Sequence, residues 1–484
     1  MITAEAVEKR LRLRRVPARW QGRPPTAFRF LTADSRCARP GDLFCAVAGL
    51  KADGHTFLED ARRAGAAAAV VQHGSEVDLP QLVVPDTQTA LSHLAMLWEG
   101  DPAAGMRLIG ITGTNGKTTT AWVIRHLLTG LGRAASLGTL GIVDPAGHRH
   151  PGELTTPDPL DLAASLGILR DRGVEFAALE VSSHALDQHR VDGLQFDYGV
   201  FTSFSREHLD YHQEMAAYLK AKLRLTELLA PGGVIVLNGD EPAWDPLRTA
   251  APEVVTTGLG GDAQVRADLV ETGPAGTRFR LAGAFGEAAV ELPLIGRFNV
   301  QNALAAAAVA FRLGMSAREV AERLAVVPQV PGRFEILSRE PCVVLRDYAH
   351  TPDAFELVLE ALRAIVPGRI LMVFGCGGDR DAGKRPLMGQ VAGSRADHVV
   401  ITSDNPRSED AAQIAKEAVA RMDPARYEII LDRRDAIARA LELAAPDDAV
   451  LLAGKGHETY QIIGARKFPF DEAQVVAELR GEAA

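Results

Sequence analysis

Residues 110–120, GITGTNGKTTT, combine residue types and spacing suited to phosphate binding. Glycines let backbone N–H groups close around phosphate oxygens, a lysine such as Lys117 reaches the terminal phosphates, and Thr118 can ligate Mg²⁺. The loop is a shortened GxxGKT, because Ile111 stands five residues before Gly116. Its place between a strand-like and a helix-like run favours a nucleotide site over an ordinary glycine turn. The predicted phosphate contacts are Gly113, Thr114, Asn115, Gly116, Lys117, Thr118 and Thr119.

Acidic and histidine side chains follow two other strand-like runs. Glu180 lies at the end of FAALEV, and EHLDYH supplies His208, Asp210 and His212 just after YGVFTSF. Such groups can also cap strands or lie at the surface, but the phosphate loop favours a metal role. Mg²⁺ prefers oxygen ligands, so a histidine ligand is less typical and acts partly through water.

The elements that must position these groups form an α/β pattern. Short apolar runs alternate with helix-length segments, as in largely parallel sheets covered on both faces. A chain of 484 residues exceeds one ordinary core, and the pattern changes at Asp101-Pro102 and near residues 327–335. We predict three domains, at residues 1–101, 102–330 and 331–484. Strands of the last domain end in polar or glycine-rich loops, where open α/β sheets bind ligands.

Composition excludes several classes of protein. The chain is 47% hydrophobic and 24% charged, has no apolar run long enough to cross a bilayer, and begins without the apolar core of a secretory signal. Its net charge of −9 argues against a general nucleic-acid binder. Its cysteines form no CxxC pair, which fits reduced thiols. We therefore expect a cytoplasmic protein with no nucleic-acid partner and no stable membrane insertion. The cysteines are Cys37, Cys45, Cys342 and Cys376.

Lysine is used sparingly in this chain. Only nine of the 53 basic residues are lysines, so arginine serves almost everywhere that a generic positive charge is enough. Lys117, Lys222, Lys384 and Lys455 all lie in segments that carry motifs. In such segments a compact amine can do what a planar guanidinium cannot.

The TGTNGKTT form of the phosphate loop resembles the Mur ligase family, whose members form amide bonds with ATP in peptidoglycan synthesis. Matching segments extend from about Asp34 to Gln461, in the order of the branch that adds the third peptide residue to UDP-MurNAc-L-Ala-D-Glu. They are LTTPDP, EVSSHALDQHRV, HLDYH, RFNVQN, DYAHTPDA, FGCGGDRDAGKRPLMG, SDNPR and AGKGHE. The resemblance implies a UDP-MurNAc-peptide-binding domain, a central P-loop ATPase-like domain and a C-terminal Rossmann-like domain that receives the amino acid.

The resemblance also assigns the reacting groups. Glu180 and His208 approach Mg²⁺, and Lys222 is carbamylated by CO₂, which turns an ammonium into an anionic oxygen ligand. The helical pattern alone would make Lys222 a solvated surface residue. Asn299 and Asn302 are adenine contacts by resemblance, although Asn299 is also a natural N-cap. The implied catalytic residues are Lys117, Glu180, His208 and Lys222, with Thr118 added as a metal ligand. The remaining implied ATP contacts are Asn299, Asn302, Arg333, Asp347 and His350.

The first substrate is implied to contact residues of two domains. Its binding residues by resemblance are Ser35, Thr155, Thr156, Ser182, Gln188 and Arg190, together with the GLKA turn. Arg190 suits a carboxylate or phosphate through its paired donors. The serines can equally cap a helix, and the threonines resemble an ordinary loop. Leu50 and Lys51 of the turn stand where the family often has other polar residues.

The SDNPR segment, residues 403–407, has the composition of a turn and, by resemblance, reads the amino acid. Meso-diaminopimelate differs from lysine by a distal carboxylate, so a site selecting it needs a cation that lysine leaves unpaired. The resemblance implies Arg380 and Arg407 for that carboxylate and Glu458 for the distal ammonium. The full implied set is Arg380, Asp404, Asn405, Pro406, Arg407, Gly454 and Glu458. Lysine and ornithine remain alternative third residues.

Two other readings compete with this one. Folylpolyglutamate synthase resembles the central domain, but its loop usually has glycine after the lysine and it lacks the UDP-binding domain. A non-catalytic nucleotide-binding protein would keep the phosphate loop without needing the metal residues or the third-domain loops. We therefore expect a monomeric enzyme that uses ATP and Mg²⁺ and whose domains close to keep water from the acyl phosphate.

Overall fold

The computed structural model describes residues 1–49, 52–251 and 253–481. Leu50 and Lys51 of the GLKA turn lie outside the described residues. The fold is α/β, as predicted, with main sheets of five, eleven and six strands. These sheets lie inside residues 1–101, 102–330 and 331–484, in that order, and the division of the chain at those residues stays a prediction.

The first region contains a small mixed sheet. Its strand order is β2-β7-β6-β5-β4, with β4 to β7 paired in parallel and β2 antiparallel at one edge, beside a separate β1–β3 pair. The strands are β1 (Ile2–Thr3), β2 (Arg19–Gln21), β3 (Ala27–Phe28), β4 (Leu31–Thr32), β5 (Leu43–Cys45), β6 (Ala68–Val71) and β7 (Gln81–Val83). The helices are α1 (Ala4–Leu13), α2 (Leu58–Arg63) and α3 (Thr87–Trp98).

The central region is built on the eleven-stranded sheet. Strands β9, β12, β8, β13, β14, β15 and β16 pair in parallel in that order, and antiparallel strands extend both edges. The strands are β8 (Arg107–Thr112), β9 (Ala134–Gly138), β10 (Gly141–Val143), β11 (Arg149–His150), β12 (Phe176–Glu180), β13 (Phe196–Phe201), β14 (Leu229–Asn238), β15 (Glu253–Gly258), β16 (Val265–Gly273), β17 (Gly276–Gly283) and β18 (Ala288–Leu292). The helices are α4 (Lys117–Leu128), α5 (Pro159–Asp171), α6 (Ser183–Asp187), α7 (Leu209–His212), α8 (Met215–Leu223), α9 (Arg297–Arg312) and α10 (Ala317–Leu324).

The third region has a six-stranded sheet in the order β19-β20-β24-β21-β22-β23, parallel except for β19. A separate hairpin, β25–β26, follows it. The strands are β19 (Glu335–Ser338), β20 (Val343–Asp347), β21 (Ile370–Phe374), β22 (His398–Ile401), β23 (Tyr427–Ile429), β24 (Ala449–Ala453), β25 (Tyr460–Ile463) and β26 (Arg466–Pro469). The helices are α11 (Pro352–Arg363), α12 (Arg385–Arg395), α13 (Ala411–Val419), α14 (Arg433–Leu443) and α15 (Glu472–Leu479).

Strand β8 shows how the central sheet is held between two apolar layers. Side chains alternate across a strand, so Ile109 and Ile111 enter the core that includes α4 and α9, whereas Leu108 enters the core on the opposite face. That second core also contains Leu94 of α3 and Leu162 of α5. The first region therefore shares buried apolar packing with the central sheet, which holds the two regions together.

The junction between the central and third regions is in direct backbone contact with a loop of the third sheet. Gly332 has a φ of +67°, and a Cβ there would lie 2.1 Å from the backbone nitrogen of His457. Phe334, also in the left-handed region, donates its N–H to the Asp347 carboxylate at 2.6 Å. A side chain larger than that of glycine at position 332 would push the junction away from the loop after β24.

A buried ion pair holds two strand ends of the third sheet. Arg433 and Glu472 are both fully enclosed and pair at 2.7 Å. The same guanidinium donates to the carbonyl of Ser403, after β22, at 3.3 Å and to that of Ala453, at the end of β24, at 2.9 Å. The segments DNPR and GKGHE begin at the next residues, so this pair fixes where both loops start.

Among the described residues, none of the helices combines the length and the apolar character needed to cross a membrane.

Replacing Arg433 by methionine tests whether the Arg433–Glu472 ion pair holds the ends of β22 and β24. We expect Arg433→Met to lower the free energy of unfolding by about 3–5 kcal/mol, because the Glu472 charge would stay buried without a partner. Urea unfolding followed by far-UV circular dichroism measures the loss, and hydrogen exchange locates it at the ends of β22 and β24. The matched control is Arg434→Met, which removes a neighbouring arginine whose ion pair with Glu478 lies at the surface. Equal destabilisation in both variants would contradict this role of the buried ion pair.

Candidate active site

The phosphate loop lies between β8 and α4, as the spacing predicts. Gly116 has a φ of +87°, and a Cβ there would come within 2.4 Å of the Asn302 side-chain oxygen. Gly113 has a φ of +147°, and a Cβ there would lie 1.9 Å from the Thr202 hydroxyl oxygen. The first turn of α4 has no side-chain cap. Its backbone N–H groups are therefore available to an anion at the positive end of the helix dipole.

Two lysines converge on one backbone carbonyl of this loop. Lys117 Nζ donates to the Gly113 oxygen at 2.8 Å, and Lys222 Nζ donates to the same oxygen at 2.7 Å. Lys222 is only 1% exposed, so the surface position inferred from helical pattern alone is wrong. Burial, together with the nearby Lys117 cation, lowers the pKa of Lys222 well below its ordinary value. A neutral amine is the form that can react with CO₂.

Glu180 is held rigidly at the carboxyl end of β12. Its carboxylate accepts hydrogen bonds from the Thr118 hydroxyl at 2.9 Å and from the Thr139 backbone and hydroxyl at 2.9 and 3.0 Å. The side chain is buried. A fixed carboxylate oxygen thus lies beside the hydroxyl that the phosphate-loop motif offers to Mg²⁺.

The loop after β13 brings His208 to the same place. Its backbone is left-handed, with a φ of +56°, and burial lowers the pKa of its imidazole to about 4. The ring is therefore neutral at pH 7 and has a nitrogen lone pair for a metal or a water. Asp210 is exposed, whereas His212 is buried with a ring nitrogen that has no hydrogen-bond partner among the described residues.

Sequence reasoning missed Glu207, the residue just before His208. One carboxylate oxygen lies 3.6 Å from His208 and the other 3.5 Å from His350 of the third region. Burial acts to raise the pKa of Glu207, but the hydrogen bond with His350 and the neighbouring positive groups outweigh it, so the net shift is downward. The available signal was its place in EHLDYH, where an acidic residue adjoins the predicted metal ligand.

These groups line one cavity of about 620 Å³ at the carboxyl ends of β8, β12 and β13. That position is where open α/β sheets place their ligands. The predicted residues that line it are Thr114, Asn115, Gly116, Lys117, Thr118, Thr119, Thr155, Glu180, Ser182, His208, Lys222, Asn302, Arg333, Asp347 and His350.

The donor set in the cavity fits Mg²⁺ held together with phosphates. Within the described ranges, no three His, Cys, Asp or Glu side chains are placed to hold a metal ion by themselves. The cavity instead offers the Thr118 hydroxyl, the Glu180 carboxylate and the neutral His208. Mg²⁺ commonly binds through one or two carboxylates and completes its shell with water and substrate phosphates.

Helix α9 places the two predicted adenine contacts differently. It begins at Arg297 with Gly296 as its N-cap, so Asn299 lies inside the helix rather than capping it. Asn299 is buried and donates to the Ile295 carbonyl at 2.9 Å, whereas Asn302 lines the cavity. Asn299 lies behind Asn302, which donates to it at 3.3 Å.

The residues predicted for the first substrate form a connected strip beside Glu180. The Thr156 hydroxyl donates to the Glu180 carbonyl at 2.8 Å and accepts the Ser182 N–H at 3.0 Å. Arg190 donates to the Thr156 carbonyl at 2.9 Å and to Gln188 at 2.6 Å. Thr155 lies 3.2 Å from the Thr139 hydroxyl. Ser182 also caps α6.

Ser35 is separate from this strip. It begins a 3-10 turn at Ser35–Cys37 in the first region and does not line the cavity.

The third region contributes a second wall of the 620 Å³ cavity around the phosphate loop, the phosphate cavity. Arg333 donates to the Thr118 hydroxyl at 3.1 Å, and its guanidinium lies 4.4 Å from the centroid of the Tyr348 ring. The Asp347 carboxylate accepts N–H groups of Phe334 and Ala349, each at 2.6 Å. Burial raises the pKa of Asp347.

The predicted amino-acid contacts lie on three adjacent loops, after β21, β22 and β24. Arg407, with a φ of +51°, donates from Nη1 to the Gly378 carbonyl at 2.7 Å. A Cβ built at Gly377 would touch both Arg407 and Arg380, so the two arginines flank one backbone segment. Arg380 is exposed.

The loops after β22 and β24 are joined by side-chain contacts. Asn405 donates to Glu458 at 2.8 Å. Gly454, whose φ is +107°, would place a Cβ 3.4 Å from Asp404. The Pro406 carbonyl lies directly against Gly378. The segment bends at Asp404, and the turn that its composition predicts comes slightly later, where Glu409 donates its N–H to the Pro406 carbonyl at 3.1 Å. The segment also forms a shared wall with the other two loops.

Comparison with known proteins gives a consistent result. Three family models match the chain: "Mur ligase family, catalytic domain" at residues 27–97, "Mur ligase middle domain" at 111–310, and "Mur ligase, glutamate ligase domain" at 332–456. A relative from Geobacter metallireducens, named UDP-N-acetylmuramoyl-L-alanyl-D-glutamate--2,6-diaminopimelate ligase, is 42% identical over 92% of this chain and 93% of its own. A relative of the same name from Geobacillus thermodenitrificans is 44% identical over 92% of this chain and 93% of its own.

Solved structures agree with the sequence relatives. The structure of a UDP-N-acetylmuramoyl-L-alanyl-D-glutamate--2,6-diaminopimelate ligase matches with a TM-score of 0.66 and 35% identity, covering 94% of both chains. MurF ligase from Thermotoga maritima in complex with ADP matches with a TM-score of 0.65 and 20% identity, covering 93% of this chain and 96% of its own, which shows a shared fold. The chain therefore belongs to the Mur ligase family.

Proposed function

We propose that this chain is an ATP-dependent ligase that adds meso-2,6-diaminopimelate to UDP-MurNAc-L-Ala-D-Glu through an acyl phosphate. The observation that supports the proposal is the junction at Gly332 and Arg333, which contacts both the phosphate loop and the loop after β24, one of the three loops that carry the predicted amino-acid contacts. The relatives from Geobacter metallireducens and Geobacillus thermodenitrificans, which match more than nine tenths of this chain, are named for this reaction. The reaction belongs to cytoplasmic synthesis of peptidoglycan precursors, and we propose that the enzyme acts there as a monomer.

The phosphate cavity orients ATP and the acceptor carboxylate. Backbone N–H groups of the loop and Lys117 hold the phosphates, and Arg333 adds a cation from the third region. Thr118, Glu180, His208 and carbamylated Lys222 would hold Mg²⁺, which supplies a Lewis acid when bound.

The first substrate is proposed to lie along the strip from Thr155 to Arg190. This strip ends at the backbone of Glu180, so a carboxylate held there reaches the cavity where the terminal phosphate is expected. A positioned carboxylate gains reactivity because the two reacting groups are already held together.

The amino acid is proposed to lie between the loops after β21, β22 and β24. Arg380 and Arg407 suit its distal carboxylate, and Glu458 suits the neighbouring ammonium. Lysine would leave the arginines without a carboxylate, which disfavours it.

Substrate-dependent ATP turnover tests the proposed reaction. We expect phosphate release only when UDP-MurNAc-L-Ala-D-Glu and meso-diaminopimelate are both present, because the carboxylate and the amine are both needed for turnover. Parallel reactions contain lysine or ornithine instead. A preference for either would change the substrate and leave the reaction class standing, and turnover without any amino acid would contradict the ligase assignment.

Substitution of Lys222 tests the metal-binding carbamate. We expect Lys222→Ala to lower kcat by roughly 100-fold or more, because an anionic ligand is removed from a charge-stabilising site. Added acetate or formate should restore part of the activity by supplying a carboxylate. The matched control is Lys220→Ala, two residues away on the exposed face of α8, which should keep its activity. Full activity in Lys222→Ala, or a loss that short carboxylates never restore, would contradict the role.

Substitution of Arg407 tests recognition of the distal carboxylate. We expect Arg407→Met to raise the KM for diaminopimelate roughly tenfold to a hundredfold, since a charge-assisted contact is lost. The KM for ATP should stay unchanged. Arg466→Met, on the exposed strand β26 that pairs with the strand beside Arg407, is the control. A similar rise in both KM values would indicate a general structural defect instead.

A further inference from the structure

Lys455 is a buried lysine to which none of the roles described above has been assigned. It follows Gly454 after β24, and its side chain is 0% exposed. An ammonium removed from water is costly unless it is paired and fully hydrogen-bonded. In a chain that uses arginine for most of its positive charges, a lysine at this position indicates a requirement for a small cation.

The contacts of Lys455 pair its buried ammonium and give each of its N–H groups an acceptor. Its Nζ lies 3.2 Å from Asp404 Oδ1, 3.3 Å from Asn405 Oδ1 and 3.4 Å from Glu458 Oε2. An ammonium has three N–H donors, so each has one acceptor. Asp404 and Asn405 belong to the loop after β22, whereas Glu458 belongs to the loop after β24. One cation therefore ties together two of the three loops of the proposed amino-acid pocket.

Asn405 and the hairpin close this cluster. The Asn405 amide donates to Glu458 at 2.8 Å and accepts the Ile462 N–H at 2.9 Å. Gln461 donates to the Asp404 carbonyl at 3.1 Å. Strand β25 is therefore hydrogen-bonded to the loop after β22 and continues directly from the loop after β24, so the hairpin and Lys455 both join these two loops.

The charged side chains of the cluster do not cancel. Asp404 and Glu458 contribute two negative charges and Lys455 one positive charge, so the sum is one negative charge. Diaminopimelate brings one ammonium and one carboxylate at its distal carbon. The remaining negative charge matches the ammonium, and Arg407 and Arg380 are the cations available for the carboxylate. Without Lys455, two neighbouring carboxylates would repel each other and lose their common anchor.

We propose that Lys455 is a positioning residue for the distal end of the amino-acid substrate, holding Asp404 and Glu458 in place and leaving one net negative charge to receive an ammonium. This inference rests on the proposed function. Lys455 itself is enclosed with its three donors engaged, so it acts through Glu458 and Asp404 rather than on the reacting atoms.

Steady-state kinetics of the full chain test this role. Lys455→Met is expected to raise the KM for diaminopimelate at least about 30-fold, because it unpairs buried carboxylates in the pocket. The KM values for ATP and for UDP-MurNAc-L-Ala-D-Glu should change less than about threefold, because their contacts lie elsewhere. The matched control is Lys467→Met. Lys467 lies 4.8 Å from the centroid of the same Tyr460 ring that Lys455 faces at 5.9 Å, but it is exposed on β26.

A double variant separates charge from packing. Lys455→Met with Asp404→Asn removes one carboxylate together with the cation, so the cluster returns to one net negative charge. We expect the KM of this variant for diaminopimelate to be at least about tenfold lower than that of Lys455→Met alone. A purely structural role for Lys455 predicts no recovery, because the second substitution removes another hydrogen-bonded group.

The outcomes are distinguishable. An unchanged KM for diaminopimelate in Lys455→Met, a common rise of all three KM values, or no recovery in the double variant would overturn the inference. If Lys455→Met does not fold, a folded and diaminopimelate-dependent double variant supports the charge count, and an unfolded or inactive one overturns it. If the wild-type chain turns over only with lysine, the proposed substrate fails, and the same KM comparison with lysine tests Lys455 independently.

Discussion

The carbonyl oxygen of Gly113 is the acceptor on which the active site depends, since it receives hydrogen bonds from both Lys117 and Lys222. Two amines brought to one neutral oxygen in a largely enclosed space favour the entry of anions. The phosphate loop, the carboxylates of Glu180 and Glu207 and the strand ends that carry them are arranged around this point. Burial and the nearby Lys117 lower the pKa of Lys222, and the carbamate proposed for Lys222 would place an anion beside Lys117.

Coupling between the two halves of the reaction follows from the short junction after α10. Arg333 reaches back to Thr118 of the phosphate loop, while Gly332, one residue earlier, lies against the backbone of the loop after β24. A movement of the third region would therefore alter both sites at once. Closure and amino-acid binding need not be separate events, because the same few residues take part in both.

Much of the fold was predictable because its signals are local. Apolar runs and helical segments identified the strands of the parallel sheets, and glycine spacing identified the phosphate loop. Burial of Lys222 was not predictable from pattern, because α8 presents it to a loop more than one hundred residues earlier in the chain. Thr139 was missed for the same reason, since its contact with Glu180 is distant in sequence. Glu207 was missed although it adjoins the predicted metal ligand His208. Asn299 was assigned as a possible cap because an asparagine near a helix start has that local preference, but Gly296 is the N-cap of the helix.

The backbone contact at Gly332 has a consequence for engineering this protein. Linkers between domains usually accept insertions, tags and new chain termini, because few contacts cross them. Here the linker touches a loop with no side chain between the two backbones. Splitting the chain, permuting its ends or inserting a reporter should therefore avoid this linker and use an exposed loop tip, such as Gly261 and Asp262 between β15 and β16.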